Sequence, residues 1–204
     1  MSLAEVRNLD KVQMAYEVIE SVHAKSSNII LSTSFGHYSA ILLKMVSDVA
    51  PNTPVVWVDS GYNTKETYQH CEELKESLNL NLHIYHPQRS VTHRASIGVN
   101  PKPAEKGYEQ FVDEIKLEPF KRALAELQPS HWVTGIREEE TEHRRSLAVE
   151  TDGPYGIKKI APLFHWKEAD LINFMSENKL PYPVNYADIT KRSANEECGL
   201  HCRI

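Results

Sequence analysis

The chain has 204 residues, 41% of them hydrophobic, and 23 Lys and Arg against 28 Asp and Glu give a formal net charge of −5. This balance excludes a disordered chain and a broad nucleic-acid-binding surface, and no apolar stretch approaches the roughly 20 residues of a membrane span. Residues 1–13 carry charges where a signal peptide needs an apolar core, and three cysteines fit a reducing cytosol better than a disulfide scaffold. We therefore expect a cytoplasmic protein with no nucleic-acid or membrane partner.

Short apolar runs alternate with helical patterns along the chain. The predicted elements are a helix at 10–22, a strand at 28–32, a helix at 38–48, a strand at 54–59, a helix at 64–78, a strand at 82–85, a helix at 117–127, strands at 132–136 and 157–163, and a helix at 166–175. Helical connections of about a dozen residues between strands indicate βαβ crossovers. We therefore expect an α/β fold with an open, mainly parallel, twisted sheet and helices on both faces.

Two segments lack this pattern. Residues 87–116 contain three prolines and two glycines, which predict a loop or a mobile lid. The pattern stops again after Pro181. We accordingly assign 1–182 to a nucleotide-binding α/β domain and 183–204 to a flexible C-terminal tail that carries two of the three cysteines.

A serine-rich turn follows the first predicted strand. It contains Ser32, Thr33, Ser34, Gly36 and Ser39. Ligands of open α/β sheets bind beyond the carboxyl ends of the strands, where the next helix offers unpaired backbone N–H groups that suit phosphate. The turn therefore predicts a phosphate site, with an ordinary capped βα turn as the alternative. A Walker-type loop is excluded, because the chain has no GxxxxGK[ST].

Two further groups of charged residues follow predicted strands. Asp59 ends the second strand, where its carboxylate either caps the next helix or binds a ligand hydroxyl. Arg137 follows a later strand, and Arg144 comes soon after it. Guanidinium groups bind phosphate or sulfate oxygens in pairs, whereas the glutamates between these arginines equally fit a solvated charged run.

The C-terminal segment holds the fourth candidate site. Cys198 with nearby His201 fits an activated nucleophile, because histidine favours the reactive thiolate. Zinc bound by Cys198, His201 and Cys202 is the alternative, although a closed zinc site needs a fourth ligand. Cys71 falls within a helical pattern and is predicted to be a core residue.

In this order along the chain, the motifs resemble those of the phosphoadenosine phosphosulfate (PAPS) reductase family. They are Ser34-Phe35-Gly36, Asp59-Ser60-Gly61-Tyr62, Glu66-Thr67-Tyr68, Leu117-Glu118-Pro119, Gly135-Ile136-Arg137, Arg144 and Glu197-Cys198-Gly199-Leu200-His201. The resemblance covers about 28–182 and resumes in the tail. It implies an adenine nucleotide alpha-hydrolase-like fold and an oxidoreductase of sulfate assimilation and cysteine biosynthesis. By that resemblance, the substrate-binding residues are Ser32, Ser34, Phe35, Gly36, Asp59, Gly61, Arg137 and Arg144.

The resemblance also implies a reaction. Cys198, with His201 beside it, attacks the sulfur of PAPS to give an S-sulfocysteine and adenosine 3′,5′-bisphosphate. Thioredoxin or glutaredoxin then releases sulfite and restores the thiol. Only Cys71 and Cys202 remain, too few for the four cysteines of a [4Fe–4S] cluster, so we expect no bound cofactor and no metal. Cys202 either resolves the sulfocysteine or is a spare thiol.

Three further points stay open at this stage. Arg89, Arg94, Lys102 and Lys106 are candidates for binding the 3′-phosphate. The family resemblance favours a homodimer. The alternative functions are an adenylyl sulfate (APS) reductase without an iron–sulfur cluster, an ATP-using nucleotidyl transferase on the same fold, and a regulatory module with zinc in its tail.

Overall fold

The fold is known from a computed structural model, which describes residues 3–99, 101–102, 105–190 and 200, with side chains from Asp10 onward. Its strands are β1 (Ile29–Thr33), β2 (Val55–Val58), β3 (Leu82–Tyr85), β4 (His131–Val133), β5 (Glu150–Asp152) and β6 (Lys158–Ile160). Its helices are α1 (Leu3–Lys25), α2 (Ser39–Val49), α3 (Lys65–Ser77), α4 (Val91–Ser96), α5 (Tyr108–Val112), α6 (Glu118–Leu127), α7 (Glu142–Arg145) and α8 (Glu168–Glu177), with a π-helical turn at Asp113–Leu117 and a 3₁₀ turn at Pro154–Gly156. None of the described helices combines the length and apolar character needed to cross a membrane.

The described strands form one sheet in the order β3-β2-β1-β4-β6-β5. All neighbouring strands are parallel except β5 and β6, which are antiparallel. The predicted open, mainly parallel sheet is therefore confirmed. Because the chain proceeds from β1 outward on one side and from β4 outward on the other, the carboxyl ends of β1 and β4 flank a topological switch point.

Apolar clusters cover both faces of this sheet. Ile29 and Leu31 of β1 pack with residues of α1, α2, α3 and α8. Ile30, which points to the opposite face, packs with Phe120 of α6 and Trp132 of β4. A strand buried on both faces reads as a continuous apolar run, which is why the sequence pattern indicates β1 so clearly.

The expectation of an irregular loop or lid at 87–116 is wrong for the two helical stretches within it, at 91–96 and 108–116. Helix α4 begins after Ser90, whose hydroxyl accepts a hydrogen bond of 3.2 Å from the backbone N–H of His93. Tyr108, Phe111 and Ile115 then form an apolar cluster on α5 and the π-helical turn. The helices are too short to give a strong helical period, so the prolines and glycines between them dominated the sequence pattern.

The predicted start of α3 is confirmed. Thr64 is its N-cap, and the Thr64 hydroxyl accepts a hydrogen bond of 3.2 Å from the N–H of Thr67. A residue at this position satisfies one of the unpaired donors of the first helical turn. Asp59 consequently does not cap this helix, and that interpretation of Asp59 is wrong.

Candidate active site

A cavity of about 330 Å³ lies at the switch point between β1 and β4. Its walls come from the serine-rich turn after β1, the turn after β2, the π-helical turn and the segment after β4. Its polar and charged lining includes Ser32, Thr33, Ser34, His37, Ser39, Ser60, Asn63, Lys116, Thr134, Arg137, Glu140, Arg144, Asp188 and Thr190. The cavity thus combines side chains from these four parts of the chain with those of Asp188 and Thr190.

The serine-rich turn forms the floor of the cavity. The Ser32 hydroxyl accepts a 2.7 Å hydrogen bond from the indole N–H of Trp132, which ties β1 to β4 at the switch point. The Ser39 hydroxyl donates a hydrogen bond of 2.8 Å to the carbonyl of Gly36, and the Thr33 hydroxyl accepts one of 3.1 Å from the N–H of Phe35. These bonds hold the turn in one shape and leave Ser34 and Gly36 on the cavity wall.

Phe35 points away from the cavity. Its side chain is fully buried in the core, where its ring packs edge-on against Trp57 with centroids 5.1 Å apart. The residue has a φ of 50°, a left-handed conformation that is uncommon outside glycine. This conformation sends the ring into the core, so any part that Phe35 has in substrate binding involves its backbone.

Asp59 and Gly61 shape the turn after β2 but do not line the cavity. The Asp59 Oδ1 accepts hydrogen bonds from the N–H of Gly61 at 2.9 Å, the side chain of Asn63 at 2.8 Å and the hydroxyl of Tyr68 at 2.8 Å. Burial, reinforced by Asp59, raises the pKa of Tyr68 to about 12. The carboxylate therefore fixes the turn that presents Ser60 and Asn63 to the cavity.

The two predicted arginines do line the cavity and lie together. Their side chains are 12% and 6% exposed for Arg137 and Arg144 respectively. Glu140 pairs with Nη1 of Arg144, and its other oxygen lies 4.0 Å from Nη2 of Arg137. Glu139 also pairs with Arg137, whose Nη1 donates 3.2 Å to the carbonyl of Trp166. The sequence allows either an anion site or a charged run here, and the structure combines the two. The arginines line the cavity, and glutamates of the same run pair with them.

Lys116 is a third cation in the cavity, and the sequence pattern did not indicate it. Its ammonium donates 2.6 Å to Oδ2 of Asp188 and 2.8 Å to the hydroxyl of Thr190. Both Lys116 and Asp188 are largely buried, with side chains 12% and 15% exposed. A lysine next to the Leu-Glu-Pro motif was the only available sequence signal, and a single lysine is too common to be specific.

Residues 182–190, here called the strap, run along the rim of the cavity. The hydroxyl of Tyr108 donates 2.8 Å to the carbonyl of Ile189, and the hydroxyl of Thr64 donates 3.1 Å to the carbonyl of Asn185. Tyr182 stacks on His37 with ring centroids 4.9 Å apart. The described first part of the predicted tail is thus in contact with the α/β domain at several points.

The strap also explains a need for glycine at position 36. A Cβ built on Gly36 would lie 3.3 Å from Cζ of Tyr186 and 3.4 Å from Oγ of Ser34. Contacts this short force a neighbouring group to move. Gly36 therefore lets the Tyr186 ring approach the serine-rich turn.

The predicted catalytic residues Cys198 and His201, and Cys202 of the zinc alternative, lie outside the described residues. Leu200 is described, and it lines the cavity. Cys71 is 1% exposed, and burial raises the pKa of its thiol to about 12, in agreement with its predicted place in the core.

The sheet order, the switch-point cavity and the serine-rich turn define an adenine nucleotide alpha-hydrolase-like fold. The family described as "Phosphoadenosine phosphosulfate reductase domain" matches residues 28–187. The chain belongs to this family.

Known proteins agree with this assignment. The chain is 30% identical to a phosphoadenosine 5′-phosphosulfate reductase of Synechococcus sp., over 98% of this chain and 97% of that protein. The structure resembles that of the phosphoadenylyl-sulfate reductase from Candida auris, with a TM-score of 0.74, 25% identity and 90% of each chain covered. It also shares its fold with the FMN adenylyltransferase of Candida glabrata, with a TM-score of 0.60 and 16% identity over 87% of this chain and 58% of that one.

Proposed function

We propose that this protein reduces PAPS to sulfite and adenosine 3′,5′-bisphosphate through an S-sulfocysteine on Cys198. The observation that carries the proposal is the convergence of Lys116, Arg137 and Arg144 on one cavity beside a serine-rich turn. Relatives named as phosphoadenosine 5′-phosphosulfate reductases support the choice of substrate.

The negative charge of the substrate is the reason that the cavity needs cations. A sulfuryl group bonded to phosphate and an attacking thiolate both carry negative charge, so their approach is opposed by repulsion. Arg137, Arg144 and Lys116 offset that repulsion, and preorganised charges of this kind are often the largest contribution to catalysis. The backbone N–H groups around Ser34 and Gly36 add uncharged donors.

The proposed reaction balances in two stages. The thiolate of Cys198, favoured by His201, bonds to the sulfur of PAPS, and the S–O bond to phosphate breaks, so that adenosine 3′,5′-bisphosphate leaves with the electron pair. A thiolate of thioredoxin or glutaredoxin then attacks Sγ of Cys198, and sulfite leaves. The second donor thiol displaces the Cys198 thiolate from the mixed disulfide, leaving the donor oxidised. Leu200, two residues after Cys198 in the sequence, lines the cavity and supports this role for the tail.

The decisive experiment is mass spectrometry of the protein mixed with PAPS in the absence of a thiol donor. We expect Cys198 to gain one SO₃ group. Cys198→Ser should remove this adduct, whereas Cys71→Ser, which changes a buried core thiol, should retain it. Intact, bound PAPS with no adduct on Cys198 would disprove the mechanism.

A parallel experiment with APS in place of PAPS tests the substrate choice. If the adduct formed faster with APS than with PAPS, the proposed function would change to APS reduction without an iron–sulfur cluster. The likeness to FMN adenylyltransferase is one of fold alone, and nothing in the described cavity favours nucleotidyl transfer over sulfonucleotide reduction.

A further inference from the structure

The cavity contains its own negative charges. Among the described residues, its cationic lining consists of Lys116, Arg137 and Arg144. Asp188 pairs with Lys116, and Glu140 pairs with Arg144 and lies near Arg137. An anionic ligand therefore meets cations that already have carboxylate partners.

These two carboxylates are held very differently. Asp188 is 15% exposed, and Thr190 donates to its Oδ1 from both the backbone N–H at 3.0 Å and the hydroxyl at 2.5 Å. Glu140 is 36% exposed and lies in the turn between β4 and α7. Glu140 can rotate into water, where its carboxylate is readily hydrated, at the cost of its contacts with Arg137 and Arg144, whereas Asp188 cannot leave without breaking buried hydrogen bonds.

Glu140 contacts both arginines, although the guanidinium of Arg137 pairs more closely with Glu139. Its Oε2 accepts from the backbone N–H of Arg137 at 2.9 Å and from Nη1 of Arg144. A guanidinium fork that binds a carboxylate has the geometry to bind a sulfate or phosphate group in the same way. The Glu140 carboxylate thus occupies the position where an oxyanion would contact the two arginines.

We propose that Glu140 is an internal counter-anion, a positioning residue that holds Arg137 and Arg144 together and is displaced when a sulfate or phosphate group binds to them. Before the ligand arrives, the Glu140 carboxylate keeps the two positive charges from repelling each other. It also lowers the affinity for every oxyanion, because the ligand must break the pairs that Glu140 makes. This inference rests on the proposed function only in taking a sulfonucleotide as the natural anion.

The test uses inorganic sulfate as the probe, titrated by calorimetry at constant ionic strength into the full-length protein and its variants. Glu140→Gln keeps an oxygen that can accept from the N–H of Arg137 but removes the charge that competes with sulfate. We expect Glu140→Gln to bind sulfate about three- to tenfold more tightly than the unmodified protein, since an ion pair with a partly exposed carboxylate contributes free energy of that order.

Glu138→Gln is the matched control. It removes the same formal charge from the same turn, but Glu138 pairs with Nδ1 of His165 at 3.0 Å rather than with either cavity arginine. Its sulfate affinity should stay within about twofold of the unmodified value, which is the scale of a surface change without a direct contact.

Three results would overturn the proposal. They are equal or weaker sulfate binding by Glu140→Gln, equal tightening by Glu138→Gln, and no detectable sulfate binding by any of these proteins. The melting temperature of each variant without sulfate shows that the folded protein is being compared. A second titration with adenosine 3′,5′-bisphosphate separates the two proposals, because loss of nucleotide binding with retained sulfate tightening would contradict the proposed function alone.

Discussion

Oδ2 of Asp188 lies 2.6 Å from Nζ of Lys116, although the two residues are 72 positions apart in the chain. Burial alone would raise the pKa of Asp188, but the ammonium of Lys116 and the hydrogen bonds from Lys116 and Thr190 outweigh it and hold this pKa below its usual value. The pair joins the strap to the π-helical turn across the cavity.

Replacing Asp188 by Asn should lower the stability of the fold. It leaves the Lys116 ammonium without its buried carboxylate, a loss of about 1–3 kcal/mol in the free energy of unfolding. The depressed pKa means that this stabilisation is present above the pKa of the unfolded state, about 3.9, and is lost as the pH falls through the lower pKa of the folded state. The difference between the melting temperatures of the two proteins should therefore be constant above about pH 4 and should shrink as the pH falls below it. A constant difference at all pH values would show that the pair does not stabilise the fold through charge.

Arg137→Ala should reduce turnover of PAPS by about a hundredfold or more, since it removes a preorganised charge from the site where negative charge develops. The fold should remain, because Arg137 sits in a segment whose backbone is bonded to β6 and to the segment after it. Steady-state kinetics with a thiol donor measure the effect, and Arg145→Ala, at the exposed neighbour of Arg144, is the control. Unchanged turnover in Arg137→Ala would remove Arg137 from the active site.

Gly36→Ala should weaken binding of adenosine 3′,5′-bisphosphate about three- to tenfold, because a Cβ there pushes against the Tyr186 ring. Gly135→Ala supplies the steric control in the same cavity, since its Cβ would meet Leu42 at an ordinary 3.8 Å. Calorimetry on both variants measures the difference. Equal affinities would mean that Tyr186 does not contribute to the nucleotide site in its observed position.

His70 should make the protein sensitive to moderate acid. Its ring is 3% exposed, and its Nε2 has no hydrogen-bond partner within the described part of the chain. Burial, followed by the charge of nearby His37, lowers its pKa to about 4. The unfolded state, with a histidine pKa of about 6.5, binds more protons between these values, so stability falls as the pH drops from about 6.5 to 4, by an amount on the order of 2 kcal/mol.

The corresponding variant is His70→Leu, which should lose this part of the pH dependence of its melting temperature. His143→Gln, at an exposed position, should retain it. If His70→Leu and the unmodified protein show the same slope across this interval, the buried imidazole does not become protonated on unfolding.

The parts of the fold that could be predicted are those whose cause lies in a short stretch of sequence. Strands β1 and β2 begin as continuous apolar runs because the sheet is covered on both faces there, and the Thr64 cap is a local hydrogen bond with a local signature. Elements β5 and α7 were missed because three or four polar residues carry no apolar period.

The candidate site divides in the same way. Ser34, Gly36, Arg137 and Arg144 could be selected because each follows a strand end within a recognisable motif, and all four line the cavity. The contact of Lys116 with Asp188 depends on the path of the strap, and no short sequence pattern predicts that path. Asp59 bonds to its own turn and does not line the cavity, and the Phe35 ring packs in the core. Both placements follow from tertiary packing rather than from the motifs that contain these residues.

The π-helical turn at Asp113–Leu117 joins α5 directly to α6 and has a consequence for how this chain tolerates insertions and deletions. Ile115 and Leu117 of the turn are buried, while Lys116 between them faces the cavity. A π turn contains more residues than an α turn, so it changes the angular phase between the helices on either side. Deleting one residue there would leave an ordinary α turn, which would change the directions of Ile115, Lys116 and Leu117 relative to at least one of the two flanking helices. In this stretch the number of residues therefore decides whether Lys116 can face the cavity while Ile115 and Leu117 stay buried.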